Sequence, residues 1–296
     1  MNRRTLGRTG LQVSPLGFGG VEINGAEDRQ VQRLLNGALD HGMNVVDTAE
    51  CYGNSEELIG RHIGHRRDEY RLFTKCGHSA GLPYPDWDPR LLRASLERSL
   101  KRLGTDHVDV AFLHTCSLDE LQYGPALDVL EQAKADGLVR FTGYSGDDVA
   151  ALFALHTGRI DVLQTSVNIA DQQAIDLTLP VAQKLNVGVV AKRPLANACW
   201  RTRSKPRSSY QHSYWERLQQ LDYDFMQRDL DATFETALRF TLSVAGVSTM
   251  IVGTSRPDRW LENLRVVQRG ALAPVEYRAI RDRWRAVADD TWTGER

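Results

Sequence analysis

NVVDTAECYG at 44–53, RLFTKCG at 71–77 and VDVAFLHT at 108–115 share one design, a short apolar run that ends in an ionisable residue. The three ionisable residues are Asp47, Lys75 and His114, and Tyr52 follows the first of them closely. A helix-like stretch precedes each run, so strand after strand carries charge at its C-terminal tip. In a β/α barrel those tips converge on one face, where the loops after the strands build the site. An acid, a phenol, an amine and an imidazole would then meet although they lie far apart along the chain.

Outward from these three, strand-like runs recur at 13–19, 44–48, 71–75, 108–114, 139–144, 161–166, 187–191 and 248–253, eight in all. Amphipathic stretches lie between them. Val31, Leu34, Leu35, Ala38 and Leu39 fall at i, i+3, i+4, i+7 and i+8, the pattern of a helix with one buried face. Asp88-Pro89 reads as an N-cap followed by proline at the first helical position. Short apolar strands alternating with helices imply a parallel sheet, and eight such units imply closure. The expected fold is α/β, a (β/α)8 TIM barrel in a single domain over 1–296. TLGRTGLQV at 5–13 adds an N-terminal β-hairpin, its turn flanked by glycines. Trp260, Leu261, Leu264 and Val267 mark a helix after the last strand, and the segment from Pro274 marks an extra C-terminal one. Residues 196–229, after the seventh strand, show no clear core period and read as a long loop.

A chain of 296 residues suits one barrel domain, and 42% hydrophobic with 25% charged residues supplies a sizeable core. The formal net charge of -1 gives no basic field for nucleic acid or for an anionic membrane surface. No apolar run approaches the length of a membrane span, so a cytoplasmic protein with a small-molecule partner is expected. Cys51, Cys76, Cys116 and Cys199 form no CxxC pair and read as reduced thiols. His62, His65 and His78 form no consistent metal-ligand pattern with them, so no metal is expected.

The tetrad and its surroundings resemble the aldo-keto reductase family. The likeness runs through RTLGRTGLQVSPLGFGG at 4–20, DTAECYGNSEELIG at 47–60, SLERSLKRLGTDHVDVAFLH at 95–114 and VGTSRPDRWLEN at 252–263, nearly the whole chain. It implies an NADPH-dependent oxidoreductase that interconverts aldehydes or ketones with alcohols. Carbonyl reduction needs a hydride donor, a proton donor and a group that polarises the carbonyl oxygen. Tyr52 is the expected proton donor, Lys75 the cation that stabilises its phenolate, Asp47 the counter-charge that holds the lysine, and His114 the group that orients the carbonyl. None of the four stores a hydride, so a cofactor is required. LGFGG at 16–20 lacks the GxGxxG spacing, which argues against a Rossmann site.

By the same resemblance the nicotinamide cofactor lies across the C-terminal face of the barrel. Its expected contacts are Gly19 and Gly20 after the first strand, Ser145 and Gln164 at the carboxamide, and Lys192, Arg193, Pro194 and Leu195 after the seventh strand. Gly253, Thr254 and Ser255 lead into a helix N-terminus suited to phosphate. Arg259 matches a 2′-phosphate ligand, and Glu262 with Asn263 match adenine contacts. Three departures stand out. Gly146 replaces a frequent asparagine, with Asn168 a candidate substitute; Lys192 or Arg193 stands where many members stack a tyrosine; and Gly253 replaces a frequent lysine. Trp87 is a candidate for the substrate pocket. The cations Arg201, Arg203, Lys205 and Arg207, followed by Tyr210, Tyr214 and Trp215, suggest a segment that closes over the cofactor. A nicotinamide-binding regulatory or sensor subunit with little turnover is the alternative reading. Substrate identity and oligomeric state are not encoded in these motifs.

Overall fold

The computed structural model describes residues 2–202 and 204–294. Two short strands, β1 (Arg4–Thr5) and β2 (Gln12–Val13), pair antiparallel as the expected hairpin. Eight parallel strands follow: β3 (Leu16–Gly19), β4 (Val45–Asp47), β5 (Arg71–Cys76), β6 (Val108–His114), β7 (Val139–Ser145), β8 (Val162–Ser166), β9 (Gly188–Lys192) and β10 (Thr249–Gly253). Each pairs with the next, and β10 pairs with β3, so the barrel closes.

Side chains alternate across a strand, and here the alternation sorts them between two cores. Val45, Phe73, Val110, Phe112, Val162 and Val190 fill the barrel interior, joined by Leu6, Leu11 and Val13 from the hairpin region. Val46, Leu72, Ala111, Leu113, Leu163 and Val189 belong instead to the larger core shared with the helices. Two residues beyond an inward position the side chain faces inward again. Asp47 follows Val45, Lys75 follows Phe73, His114 follows Phe112, Gln164 follows Val162 and Lys192 follows Val190, so the charged tips share the interior above an apolar floor. Gly143 keeps that floor level: a Cβ there would lie 2.4 Å from the Phe112 ring.

The helices form as their patterns dictate. Asp28–Asp40 buries Val31, Leu34, Leu35, Ala38 and Leu39, the predicted face. At the start of Pro89–Leu103 the Asp88 side chain accepts from the Arg90 N–H, as an N-cap does. Pro257–Gln268 buries Trp260, Leu264 and Val267, while Leu261 is only half-buried, and Pro274–Val287 is the extra C-terminal helix.

The expectation of a structureless segment at 196–229 is corrected. It contains the helix His212–Leu221 and short turns at Ala196–Arg201, Ser209–Gln211 and Asp224–Gln227. Trp200, Tyr214, Leu218, Leu221 and Phe225 are buried. Tyr214, Leu218 and Leu221 are spaced i, i+4 and i+7, a one-sided stripe obscured by the surrounding Arg, Ser and Gln. Arg203, one of the cations expected there, lies outside the described residues. No helix among the described residues is long and apolar enough to cross a membrane.

Candidate active site

At the centre of the barrel mouth Lys75 Nζ donates to Asp47 Oδ2 at 2.6 Å and to the Thr48 carbonyl at 2.8 Å. Both side chains are 2% exposed, so the pair is cut off from water. The other Asp47 oxygen accepts from Gln164 Nε2 at 2.7 Å, and Gln164 Oε1 accepts from the Ser145 hydroxyl at 3.0 Å. The carboxylate is therefore held from two strands. Burial alone would lower the Lys75 ammonium, but Asp47 and then Tyr52 outweigh it and leave it above its ordinary value. Lys75 stays charged.

Tyr52 comes from the loop after β4, where its N–H donates to the Ala49 carbonyl at 3.0 Å. Lys75 Nζ lies 5.0 Å from its ring centroid, and the His114 ring meets it edge to face at 5.8 Å. All four predicted residues thus meet in one place. Burial, opposed by Lys75, raises the Tyr52 hydroxyl above its ordinary value, so the group is a protonated phenol at neutral pH. Burial and then Lys75 pull the His114 imidazole well below the usual range, which makes it neutral. Cys51 Sγ lies 3.5 Å from His114 Nδ1. Burial, with Glu50 next, pushes that thiol up to about 11.

A wall of rings continues from His114. The His78 ring lies 5.3 Å from it, and the Trp87 ring 5.7 Å from His78, both tilted edge-on. Trp87 therefore packs against His78, one ring removed from His114. Its ring rests on Gly77, where a Cβ would come within 2.3 Å, and its backbone N–H donates to the Gly77 carbonyl at 3.1 Å. His78 was readable only as a failed metal ligand. Its adjacency depends on how the 77–87 loop folds, which no spacing rule encodes.

The expected cofactor contacts divide into groups. Gly253 and Gly19 are paired across β10 and β3, and a Cβ on Gly20 would meet Ser55 Oγ at 2.7 Å and the Asp47 carbonyl at 2.9 Å. Close protein packing thus already explains Gly20. Ser145 is bound to Gln164, and Gln164 in turn to Asp47, so Gln164 has both polar atoms engaged. Asn168 Oδ1 accepts from the Ala170 N–H at 2.8 Å, but its buried Nδ2 has no partner. That orphaned donor fits a carboxamide oxygen, the part open to it because Gly146 has no side chain.

Lys192 is tied to Asp147 at 2.9 Å, an acid that motif reading missed although it lies two residues past Ser145. Burial alone would raise the Asp147 carboxyl, but Lys192, the Ser166 N–H and Arg193 together outweigh it and hold it below its ordinary value. Arg193 adopts φ +53°, in the left-handed region, and its guanidinium donates to Tyr210 at 2.7 Å and Ser166 at 3.0 Å. It lies over the Tyr210 ring at 5.2 Å, so Arg193 binds the 196–229 segment to the barrel. Tyr214 does the same through Asp171, its hydroxyl donating at 2.8 Å. Pro194 accepts from Thr241 at 3.3 Å, and Leu195 is half-buried beside it.

Beyond β10, Thr254 Oγ1 accepts from the Arg256 N–H at 3.1 Å, and the Ser255 carbonyl accepts from Gln30 at 2.6 Å. These contacts fix the approach to Pro257–Gln268, whose first turn leaves backbone N–H groups without intrahelical partners. Arg259 pairs with Glu262 at 2.9 Å and rests over Phe234 at 4.9 Å, while Asn263 is buried. A helix N-terminus with Arg256 and Arg259 beside it fits an anionic phosphate.

The profile of the Aldo/keto reductase family matches residues 15–285. Over 95% of each chain, the sequence is 26% identical to the "Uncharacterized oxidoreductase YqkF" of Bacillus subtilis. It is 28% identical to the L-galactose dehydrogenase of Arabidopsis thaliana, covering 89% of this chain and 87% of that one. The holo form of the aldo-keto reductase AKR11C1 from Bacillus halodurans superposes with a TM-score of 0.84 at 26% identity, over 98% of both chains. With its closed barrel and a family match over most of its length, the chain belongs to the aldo-keto reductase family, whose members are NAD(P)H-dependent oxidoreductases.

Proposed function

We propose that this chain interconverts an aldehyde or ketone with the corresponding alcohol, using NADPH, with Tyr52 as the proton donor. The observation that carries the proposal is the buried Lys75–Asp47 pair beside a protonated phenol and a neutral imidazole. A bound nicotinamide supplies the hydride. Tyr52 delivers its proton to the carbonyl oxygen as negative charge develops there. Lys75 stabilises the phenolate left behind, and Asp47 keeps Lys75 charged in a site that water does not reach. His114 orients the oxygen by a hydrogen bond.

Arg259 and Arg256 would hold the 2′-phosphate end, Asn168 Nδ2 the carboxamide, and Trp87 one side of the substrate. Arg259 supports NADPH over NADH because a guanidinium matches phosphate geometry. The whole chain acts as one unit on a small molecule in the cytoplasm, where four free cysteines suit a reducing medium.

Tyr52→Phe tests the assignment. Turnover across a panel of aldehydes, ketones, sugars and alcohols should fall about 10²- to 10⁴-fold, with cofactor affinity near wild type. A folded variant with near-normal turnover refutes it. A wild-type chain that binds NADPH yet turns over no member of the panel would instead be a regulatory subunit.

A further inference from the structure

His78 takes no part in the mechanism above, yet its surroundings constrain it. Its Nδ1 lies 2.9 Å from Asp86 Oδ2, and the other Asp86 oxygen accepts from the Ser79 N–H at 2.8 Å. A carboxylate only accepts, so Nδ1 of His78 carries the hydrogen. The contact with His78 in turn holds the Asp86 carboxyl below its ordinary value. In a neutral ring, Nε2 is then a bare acceptor.

His114, 5.3 Å away, has the opposite arrangement. Its Nδ1 faces the Cys51 sulfur, and the thiol keeps its hydrogen. With the S–H donating to Nδ1, the neutral imidazole carries its hydrogen on Nε2, the tautomer that the proposed carbonyl contact uses. No hydrogen bond to Nε2 of either ring is made among the described residues. Side by side, the two rings present one donor and one acceptor.

We infer that His78, oriented by Asp86, is a specificity-determining residue that accepts a hydrogen bond from a hydroxyl on the carbon next to the reacting carbonyl. The inference rests on the proposed carbonyl chemistry and narrows it to 2-hydroxy carbonyl compounds, or vicinal diols in the oxidative direction. The carbonyl oxygen takes the donor from His114, and the neighbouring hydroxyl gives its hydrogen to His78. Ring centroids 5.3 Å apart suit oxygens on adjacent carbons, each reached by its own hydrogen bond. A 1,2-dicarbonyl offers only acceptors and would leave His78 unmatched.

The test compares kcat/KM for lactaldehyde, propanal and methylglyoxal at pH 8, in the wild type and in Asp86→Asn. In the variant, Oδ1 remains claimed by the Ser79 N–H, so the amide NH2 faces His78 Nδ1 and drives the ring hydrogen to Nε2. The wild type should favour lactaldehyde over propanal by about 3- to 10-fold, the worth of one neutral hydrogen bond. Asp86→Asn should erase that preference and shift selectivity towards methylglyoxal. Nitrogen-15 shifts of the His78 ring, read in both proteins without substrate, should show the hydrogen moving from Nδ1 to Nε2.

Equal kcat/KM for lactaldehyde and propanal in the wild type overturns the inference while leaving carbonyl reduction intact. So does a moved ring hydrogen with unchanged selectivity, or a wild-type ring with its hydrogen on Nε2. Absence of turnover with any carbonyl overturns the inference and the proposed function together.

Discussion

Lys75→Met removes one charge from a pair that water does not reach, and its consequence can be worked from the contacts. The methionine fills much of the lysine's volume, so little packing is lost. Asp47 keeps the 2.7 Å hydrogen bond from Gln164 but loses Lys75, the one cation bonded to it among the described residues. Breaking a buried pair from one side typically costs about 3 to 5 kcal/mol, because the remaining charge is left uncompensated. For a chain of this size each kcal/mol lowers Tm by roughly 2 °C, so the midpoint should fall by about 6 to 10 °C at pH 8. The deficit should shrink towards pH 5, since burial raises the Asp47 carboxyl and protonation discharges it. Adding Asp47→Asn should recover part of the loss, as the charge itself is then gone. Thermal unfolding of the two single variants and the double at both pH values supplies the cycle. A Lys75→Met protein within 1 kcal/mol of wild type at pH 8 would refute the reasoning. So would a double variant whose deficit is the sum of the singles.

Arg259→Ala should weaken NADPH binding by about 1.5 to 3 kcal/mol and NADH binding little, read by fluorescence titration; equal weakening would show that this arginine does not read the 2′-phosphate. The Asp171 carboxyl is pushed up to about 7 by burial and then by Asp147. A carboxyl raised in the folded state binds its proton more tightly there, so stability is greatest below the unfolded value and falls as pH rises towards 7. Asp171→Asn should therefore stabilise the protein at pH 8, by up to about 4 kcal/mol, and change little at pH 4, in chemical denaturation at both. Because the Tyr52 hydroxyl is raised, kcat for carbonyl reduction should stay flat from pH 6 to 9, whereas alcohol oxidation, which needs the phenolate, should climb through that range. A reductive profile that falls near pH 7 would point to another acid.

What was legible in the chain depended on range. Asp47, Lys75 and His114 could be placed because each ends a short apolar run, and strand alternation then decides where its side chain points. The helix at 28–40 was equally open, its buried face written at helical spacing. Trp87 could be named only as a nearby aromatic, and His78 only as a rejected metal ligand, since both depend on a loop that doubles back through Asp86. Asp147 was missed because its role is to neutralise Lys192, on a strand two places further along the barrel. The helix His212–Leu221 was hidden for a different reason: its three buried apolar residues are outnumbered by polar ones, of which Arg217 is itself buried.

The alternation that fills the interior has a bearing on how such a protein can vary. Which way a strand residue faces is a matter of odd or even position, so Lys75 faces the mouth because it stands two steps from Phe73. A residue inserted before β5, in the turn at 64–69, leaves that parity untouched. The same insertion between Phe73 and Thr74 turns the amine outward into the helical layer and brings Thr74 to face Asp47. Mutational drift in the loops can therefore rework what the pocket accepts while the reacting groups stay in place. Slippage inside a strand by a single residue extinguishes them at once.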